Sequence, residues 1–212
     1  MKYEGIIFDL DGVICHTDHY HYQAWKALAD EMRIHFDETI NNRLRGVSRM
    51  ESLEIILESY PGALSKEEKE QCAAQKNERY KELLKTMSAK DLSEEVKMTL
   101  KELRNRGVKL AIGSSSKNAG FILERIGLDG FFDAVSDGNN IQHSKPDPEV
   151  FIKAAQYLEL KAGRCLVVED AEAGIWAAEA GGMDSAAIGD AVKCHQATYD
   201  MKQFSDLLVI CE

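Results

Sequence analysis

Gly5-Ile6-Ile7-Phe8-Asp9-Leu10-Asp11-Gly12 is the stretch on which the fold turns. Four residues with no charge and little polarity run into a turn that holds two carboxylates and a glycine. A short apolar run that stops at a polar, glycine-containing turn reads as a fully buried strand rather than a helix. The four residues before it, Met1-Lys2-Tyr3-Glu4, carry neither the apolar length nor the small-residue cleavage site of a secretory signal.

Downstream of this strand the period changes. From about Thr17, apolar residues recur at three- and four-residue spacing (Tyr22, Trp25, Leu28, Ala29, Met32), which is the stripe of an amphipathic helix. Residues 48–58 repeat the pattern with Met50, Leu53, Ile56 and Leu57, and 65–87 form a charge-rich third helix opened by the capping box Ser65-x-x-Glu68. Nothing between 17 and 88 reads as a strand. Beyond 88 the chain alternates. Helices are expected at 93–106 (stopped by Gly107), 118–126, 147–158 (with Pro148 in the first turn) and 171–180. Strands are expected at 109–113, 132–136, 165–169 and 185–188, and the last twenty residues are read as ending in a helix. Alternation of this kind builds an α/β fold, a doubly wound parallel-sheet (Rossmann-like) core. The all-helical block interrupts it after the first strand. The expected organisation is therefore a core of residues 1–16 and 89–212 with an inserted all-helical cap at 17–88.

Composition narrows the function classes. A length of 212 residues can bury a real core, and only 3 prolines with no low-complexity tract argue against disorder. A net charge of −10 without a basic stripe speaks against nucleic acid as a partner. No apolar run approaches the ~20 residues that span a bilayer, so no membrane partner is expected and a cytoplasmic monomer is. The five cysteines, 15, 72, 165, 194 and 211, are scattered and odd in number, which fits buried thiols better than a zinc site or a disulfide framework.

In a doubly wound sheet, ligands bind beyond the carboxyl ends of the strands. Those ends hold Asp9-Leu10-Asp11-Gly12, Ser114-Ser115-Ser116-Lys117-Asn118 and Glu169-Asp170, with Ser144-Lys145-Pro146 in the turn before the helix at 147. Carboxylates beside lysines and hydroxyls suit a hard cation and a phosphate held together. Mg2+ takes one or two carboxylates and leaves its other positions to water and phosphate oxygens; Asp9, Asp11, Glu169 and Asp170 are the candidate donors. A carboxylate can attack phosphorus to give an aspartyl-phosphate, and Asp11 is placed to move the proton on the leaving or entering oxygen. Ser114, the Ser115 and Ser116 amides, and Lys145 can bind the equatorial oxygens.

Phe8-Asp9-Leu10-Asp11-Gly12-Val13-Ile14 resembles the first motif of the haloacid dehalogenase superfamily. Ser114 resembles the second, Lys145 the third, and Glu169-Asp170 followed by Ala173-Gly174-Ile175 the fourth, in matching order and spacing. The likeness continues through the cap to the β-phosphoglucomutase branch of that superfamily. Tyr20-His21-x-x-Ala24-Trp25-Lys26-Ala27-Leu28 resembles its first cap helix, and Leu44-Arg45-Gly46-Val47-Ser48-Arg49-x-x-Ser52-Leu53 its substrate-specificity loop; Lys76-Asn77 also matches. The resemblance implies a sugar-phosphate mutase that interconverts β-glucose 1-phosphate and glucose 6-phosphate through an aspartyl-phosphate and a bisphosphate. It implies that Asp9 is the nucleophile, Asp11 the acid/base, and Ser114 and Lys145 further catalytic groups. Arg49 would hold the distal phosphate with Ser116, Lys117 and Asn118. His21 and Lys76 would couple cap closure to catalysis, Trp25, Arg45 and Ser52 would line the sugar pocket, and Thr17 would sit at the hinge.

This chain departs from that pattern at several positions. His16 stands where the branch has aspartate, Arg45 where it has lysine, Ser115 where it has alanine, Ala171 where it has serine, and Glu94-Glu95 where it has Pro-Gly. None touches the proposed nucleophile, acid/base, lysine or metal carboxylates. Other readings of single residues stand beside these. Asp9 and Asp11 suit turns, Glu169-Asp170 suits a helix start, Trp25 suits a helical core, and His16 and His19 read as surface histidines. Arg49 at a helix start opposes the dipole, which favours a ligand role. The runner-up activity is a magnesium-dependent sugar-phosphate phosphatase, and a remoter one is a catalytically silent sugar-phosphate binding protein.

Overall fold

The computed structural model describes residues 2–212; Met1, quoted above with the N-terminal tetrapeptide, lies outside them. The chain opens with β1 (Gly5–Phe8) and passes through α1 (Asp18–Glu31), α2 (Glu38–Asn42), α3 (Arg49–Leu57) and α4 (Lys66–Leu84). It then alternates as α5 (Glu94–Asn105), β2 (Lys109–Gly113), α6 (Ala119–Arg125), β3 (Ala134–Ser136), α7 (Glu149–Tyr157), β4 (Cys165–Glu169), α8 (Glu172–Ala180) and β5 (Asp184–Ala187). β6 (Tyr199–Asp200) and α9 (Leu207–Ile210) follow.

The described strands form one six-stranded sheet in the order β3-β2-β1-β4-β5-β6, and every pairing is parallel. Side chains alternate across it. Ile6, Phe8, Leu110, Ile112, Leu166 and Val168 share one buried cluster with Leu100 and Leu103 of α5, Ile122 of α6 and Leu207 of α9. Ile7, Ala111, Cys165 and Val167 point the other way, into Phe151 and Ala154 of α7 and Ala177 of α8. Covered on both faces, these strands read as continuous apolar runs, the habit of parallel sheets. The contact with α7 is close: a Cβ added at Gly113 would stand 2.6 Å from Phe151.

α1–α4 carry a separate core of Trp25, Leu28, Ala29, Ile34, Phe36, Leu53, Ile56 and Ala73. The C-terminal half of α4 leaves this core, and Tyr80, Leu84 and Met87 pack with the strands instead. That anchors the helical block at one end. Both α3 and α4 start on serine capping boxes, Ser48 with Glu51 and Ser65 with Glu68, each satisfying orphan amides at the helix start. Pro148 is the N-cap of α7 rather than a residue of its first turn.

The C-terminal segment departs from expectation. The last twenty residues contain a two-residue edge strand, β6, a 3-10 turn and a four-residue helix, α9. A strand that short has no periodicity to read, and its pairing with β5 is a tertiary event. No helix among the described residues is long and apolar enough to cross a membrane, and all five cysteines are free thiols.

Candidate active site

β1 lies between β2 and β4, where the strand order reverses, so the chain after β1 opens into the crevice that forms at such a switch point. Phe8 is level with Ile112 on one side and Val168 on the other. The next residue of each strand therefore stands on one line: Asp9, Gly113 with Ser114 just beyond, and Glu169 with Asp170 just beyond. The four segments singled out in the sequence meet around a cavity of about 1050 Å³.

Lys145 is fully buried at the centre of this edge. Its Nζ donates to Asp9 Oδ1 and, at 2.5 Å, to Glu169 Oε1, and lies 4.7 Å from the centre of the Phe151 ring. Burial alone would push the ammonium down, but Asp9 and Glu169 outweigh it and hold it above its ordinary value. The Asp9 carboxyl is driven upward, by burial first and by the charges of Glu169, Asp11 and Asp170 against the pull of Lys145. Asp170 is pushed up to about 8, again by burial and then by Glu169, with Arg45 opposing. Asp11 is raised to about 6 by burial, moderated by the Thr17 hydroxyl, which donates to its Oδ1.

Charge balance tests whether a divalent cation fits. Asp9, Glu169 and Asp170 crowd one end of the cavity, and Lys145 is the buried ammonium among them. Both oxygens of Glu169 are engaged, Oε1 by Lys145 and Oε2 by the Ala171 amide at 2.9 Å, which leaves each one further acceptor position. It orients the lysine. The second oxygen of Asp9 accepts no hydrogen bond from the described residues, and Asp170 lies against the Asp11-Gly12 turn so closely that a Cβ on Gly12 would come 2.1 Å from its Oδ2. Among the described residues no three His, Cys, Asp or Glu side chains form a ready-made cage. A hard cation that keeps waters and binds substrate phosphate needs only one or two carboxylates, and its charge offsets the crowding that raises Asp9 and Asp170. The donor set fits a hard divalent cation such as Mg2+, with Asp9 and Asp170 as the carboxylates that would chiefly hold it.

The loop after β2 cradles the opposite side. Ser114 is buried and its Oγ accepts from the Ser116 amide at 3.1 Å, which leaves its proton for a ligand oxygen. Ser116 Oγ accepts from the Asn118 amide, and Asn118 Nδ2 donates to Asn77 Oδ1 of α4 at 3.0 Å. Lys117 is exposed at the rim.

The helical block closes the cavity from above. Arg49 opens α3, lines the cavity and makes no ion pair with any described residue. Lys76 is buried, with Nζ 2.9 Å from His21 Nδ1 and 4.7 and 4.5 Å from the Trp25 and Tyr80 rings. Burial, then the charges of Lys76 and Arg49, push His21 well below its usual value; burial, then the charge of Arg49 against the pull of Asp11, does the same to Lys76. Arg49 and the Lys76 amine, with the His21 ring against Lys76, suit an anion, whose charge would offset the burial that holds both nitrogen groups down. Thr17 is fully buried between the two halves. Gly46, Val47, Ser48 and Ser52 border the cavity. Trp25 is shared: it is buried in the core of α1–α4 and also lines the cavity. His16 and His19 are exposed.

Sequence reasoning missed the partners that bind the two halves together. Arg45 pairs with Asp18, and with Asp190 at 2.8 Å; Ser115 Oγ donates to the Gly46 carbonyl at 3.1 Å; Ser144 Oγ donates to Glu51 at 2.6 Å. Only the Ser48–Glu51 box, spaced like Ser65–Glu68, had a local signal.

A parallel α/β sheet with a paired aspartate at its central strand end, a buried lysine and a helical lid defines a carboxylate-centred phosphoryl-transfer enzyme. Residues 3–182 match the family described as haloacid dehalogenase-like hydrolase, and the chain belongs to it. β-Phosphoglucomutase of Bacillus subtilis (strain 168) is 39% identical over 96% of this chain and 91% of its own length. The crystal structure of β-phosphoglucomutase from Clostridium difficile superposes with a TM-score of 0.92 at 35% identity, covering 97% of this chain and 93% of that one. Fructose-1-phosphate phosphatase YqaB of Escherichia coli (strain K12) is 31% identical over 87% of this chain and 95% of its own length.

Proposed function

We propose that the protein is a sugar-phosphate mutase that interconverts β-glucose 1-phosphate and glucose 6-phosphate. The observation that supports this reading is that Arg49 and Lys76, with His21 against Lys76, line the same cavity as Asp9, so the cavity suits a sugar with a phosphate at each end. Resemblance to the two β-phosphoglucomutases across nearly the whole chain supports it.

Asp9 attacks phosphorus with the oxygen left free by Lys145, and the phosphoryl group passes from a bisphosphate to the carboxylate. Asp11 protonates the departing sugar oxygen. The 6-hydroxyl of β-glucose 1-phosphate is then presented to the aspartyl-phosphate, Asp11 takes its proton, and the phosphoryl group moves from Asp9 to that oxygen. The bisphosphate so formed turns round, passes its 1-phosphoryl group to Asp9 and leaves as glucose 6-phosphate once Asp11 protonates O1. A carboxyl raised to about 6 can do both at neutral pH. Lys145 and the Ser114 hydroxyl hold the equatorial oxygens. Mg2+, which Asp9 and Asp170 would hold, would supply positive charge for the phosphoryl oxygens. Arg49, helped by Ser116, Lys117 and Asn118, holds the distal phosphate, and the 17–88 block is the cap that excludes water. The enzyme is read as a cytoplasmic monomer.

The test mixes protein, magnesium, β-glucose 1-phosphate and a trace of glucose 1,6-bisphosphate, and measures glucose 6-phosphate and free phosphate together. Glucose 6-phosphate with little free phosphate is expected. Free phosphate alone makes the protein a phosphatase, as its relative from Escherichia coli is named; binding with neither product makes it a silent binder.

A further inference from the structure

Among the described residues, the ion pairs that cross from 17–88 to the rest of the chain are both made by Arg45. Its guanidinium is forked. Nη2 donates to Asp18 at the start of α1, while Nη1 stands 2.8 Å from Asp190 Oδ2 and 3.9 Å from Asp170 Oδ2. Nε is buried with no hydrogen-bond partner. Asp190 sits in the turn after β5, and its other oxygen accepts from Lys193 at 2.6 Å. Gly189, at φ +62°, brings that turn against Asp170. The carboxylate thus pairs with Lys193 of its own turn through one oxygen and reaches the cap loop with the other. Two hydrogen bonds, the neutral Ser115–Gly46 and the carboxylate-accepting Ser144–Glu51, span the same gap.

We infer that Asp190 is a positioning residue: by pairing with Arg45 it holds the cap loop closed over Asp9 and so biases the aspartyl-phosphate toward a sugar hydroxyl and away from water. The mutase reading supplies the product assay on which this rests. When the pair parts, the loop at 44–49 loses its charged tie to the core, water reaches the aspartyl-phosphate, and hydrolysis returns Asp9 and free phosphate. Asp190 also competes with Asp170 for Nη1, which leaves the Asp170 carboxylate available to a cation.

The pair is half-exposed, so its strength is that of a surface ion pair and depends on salt. Asp190→Asn should lower the ratio of glucose 6-phosphate to free phosphate by about two- to fivefold at low ionic strength. Hydrolysis of p-nitrophenyl phosphate should be no slower, and Asp190→Glu should restore the ratio. Raising sodium chloride from about 0.05 to about 0.5 M should pull the wild-type ratio toward that of Asp190→Asn and leave the variant nearly flat. An unchanged ratio, equal salt responses, or parallel loss of p-nitrophenyl phosphate hydrolysis overturns the inference. If the wild type makes no glucose 6-phosphate, the mutase reading falls separately. Free-phosphate release from glucose 1,6-bisphosphate then decides: faster release by Asp190→Asn upholds the latch, and equal rates overturn it.

Discussion

Lys145→Met removes the one buried ammonium between Asp9 and Glu169 while keeping length and most of the contact with Phe151. In the wild type these three groups satisfy each other out of solvent: Lys145 is fully buried, Glu169 is 1% exposed and Asp9 7%. Taking away one partner of a buried ion pair costs about 3–5 kcal/mol, because the charges left behind have lost both water and partner. A chain of this size loses about 2–4 °C of Tm per kcal/mol, so the expected fall is about 6–20 °C. The loss has a pH signature. Without Lys145, the Asp9 carboxyl sits still further above its unfolded value. The folded variant then binds more protons than its unfolded chain, and its stability drops as pH rises. The gap from wild type should be narrow at about pH 5 and wide at about pH 8. Thermal melts by circular dichroism, without divalent cations, at both pH values read it directly. A gap under about 1 kcal/mol at pH 8, or one that widens as pH falls, refutes the assignment of Lys145 as the charge holding this edge together.

Further outcomes follow from the same geometry. Gly174→Ala places a methyl 2.0 Å from Glu169 Cδ and Oε1, so Glu169 must leave Lys145; a loss of about 1–3 kcal/mol in thermal melts is expected despite the better helix propensity of alanine. Arg49→Ala should cut kcat/KM for β-glucose 1-phosphate by about 10–100-fold, the value of charged hydrogen bonds to a distal phosphate, with hydrolysis of p-nitrophenyl phosphate largely spared; equal losses would argue against the clamp. Burial raises Asp170 to about 8 in the fold, so the charged form is penalised there and the metal-free protein should lose Tm as pH rises from about 5 toward about 8. Saturating magnesium should flatten that slope, and a flat metal-free profile would contradict the crowding of carboxylates.

How much of this was legible in advance depends on distance along the chain. β1 and its Asp9-x-Asp11 end could be read because both signals are local: four apolar residues in sequence, then turn chemistry. The helical block was legible for the same reason, with periodic stripes and the box at Ser65–Glu68. The alternation after residue 88 implied a parallel sheet, and so told which turns would share an edge.

What the sequence could not decide is which partner each side chain takes. Glu169 was a metal candidate by residue type; the tertiary structure turns both its oxygens to Lys145 and the Ala171 amide. Trp25 was open between core and pocket until packing placed it in the core of α1–α4 at the wall of the cavity. Asp190 carried no signal at all, since its partner Arg45 lies 145 residues away. Periodicity and turn chemistry act over a few residues and are written into the chain. Ion pairs across a closing cap form between residues that only the assembled sheet brings within reach, and they exist only when the fold does.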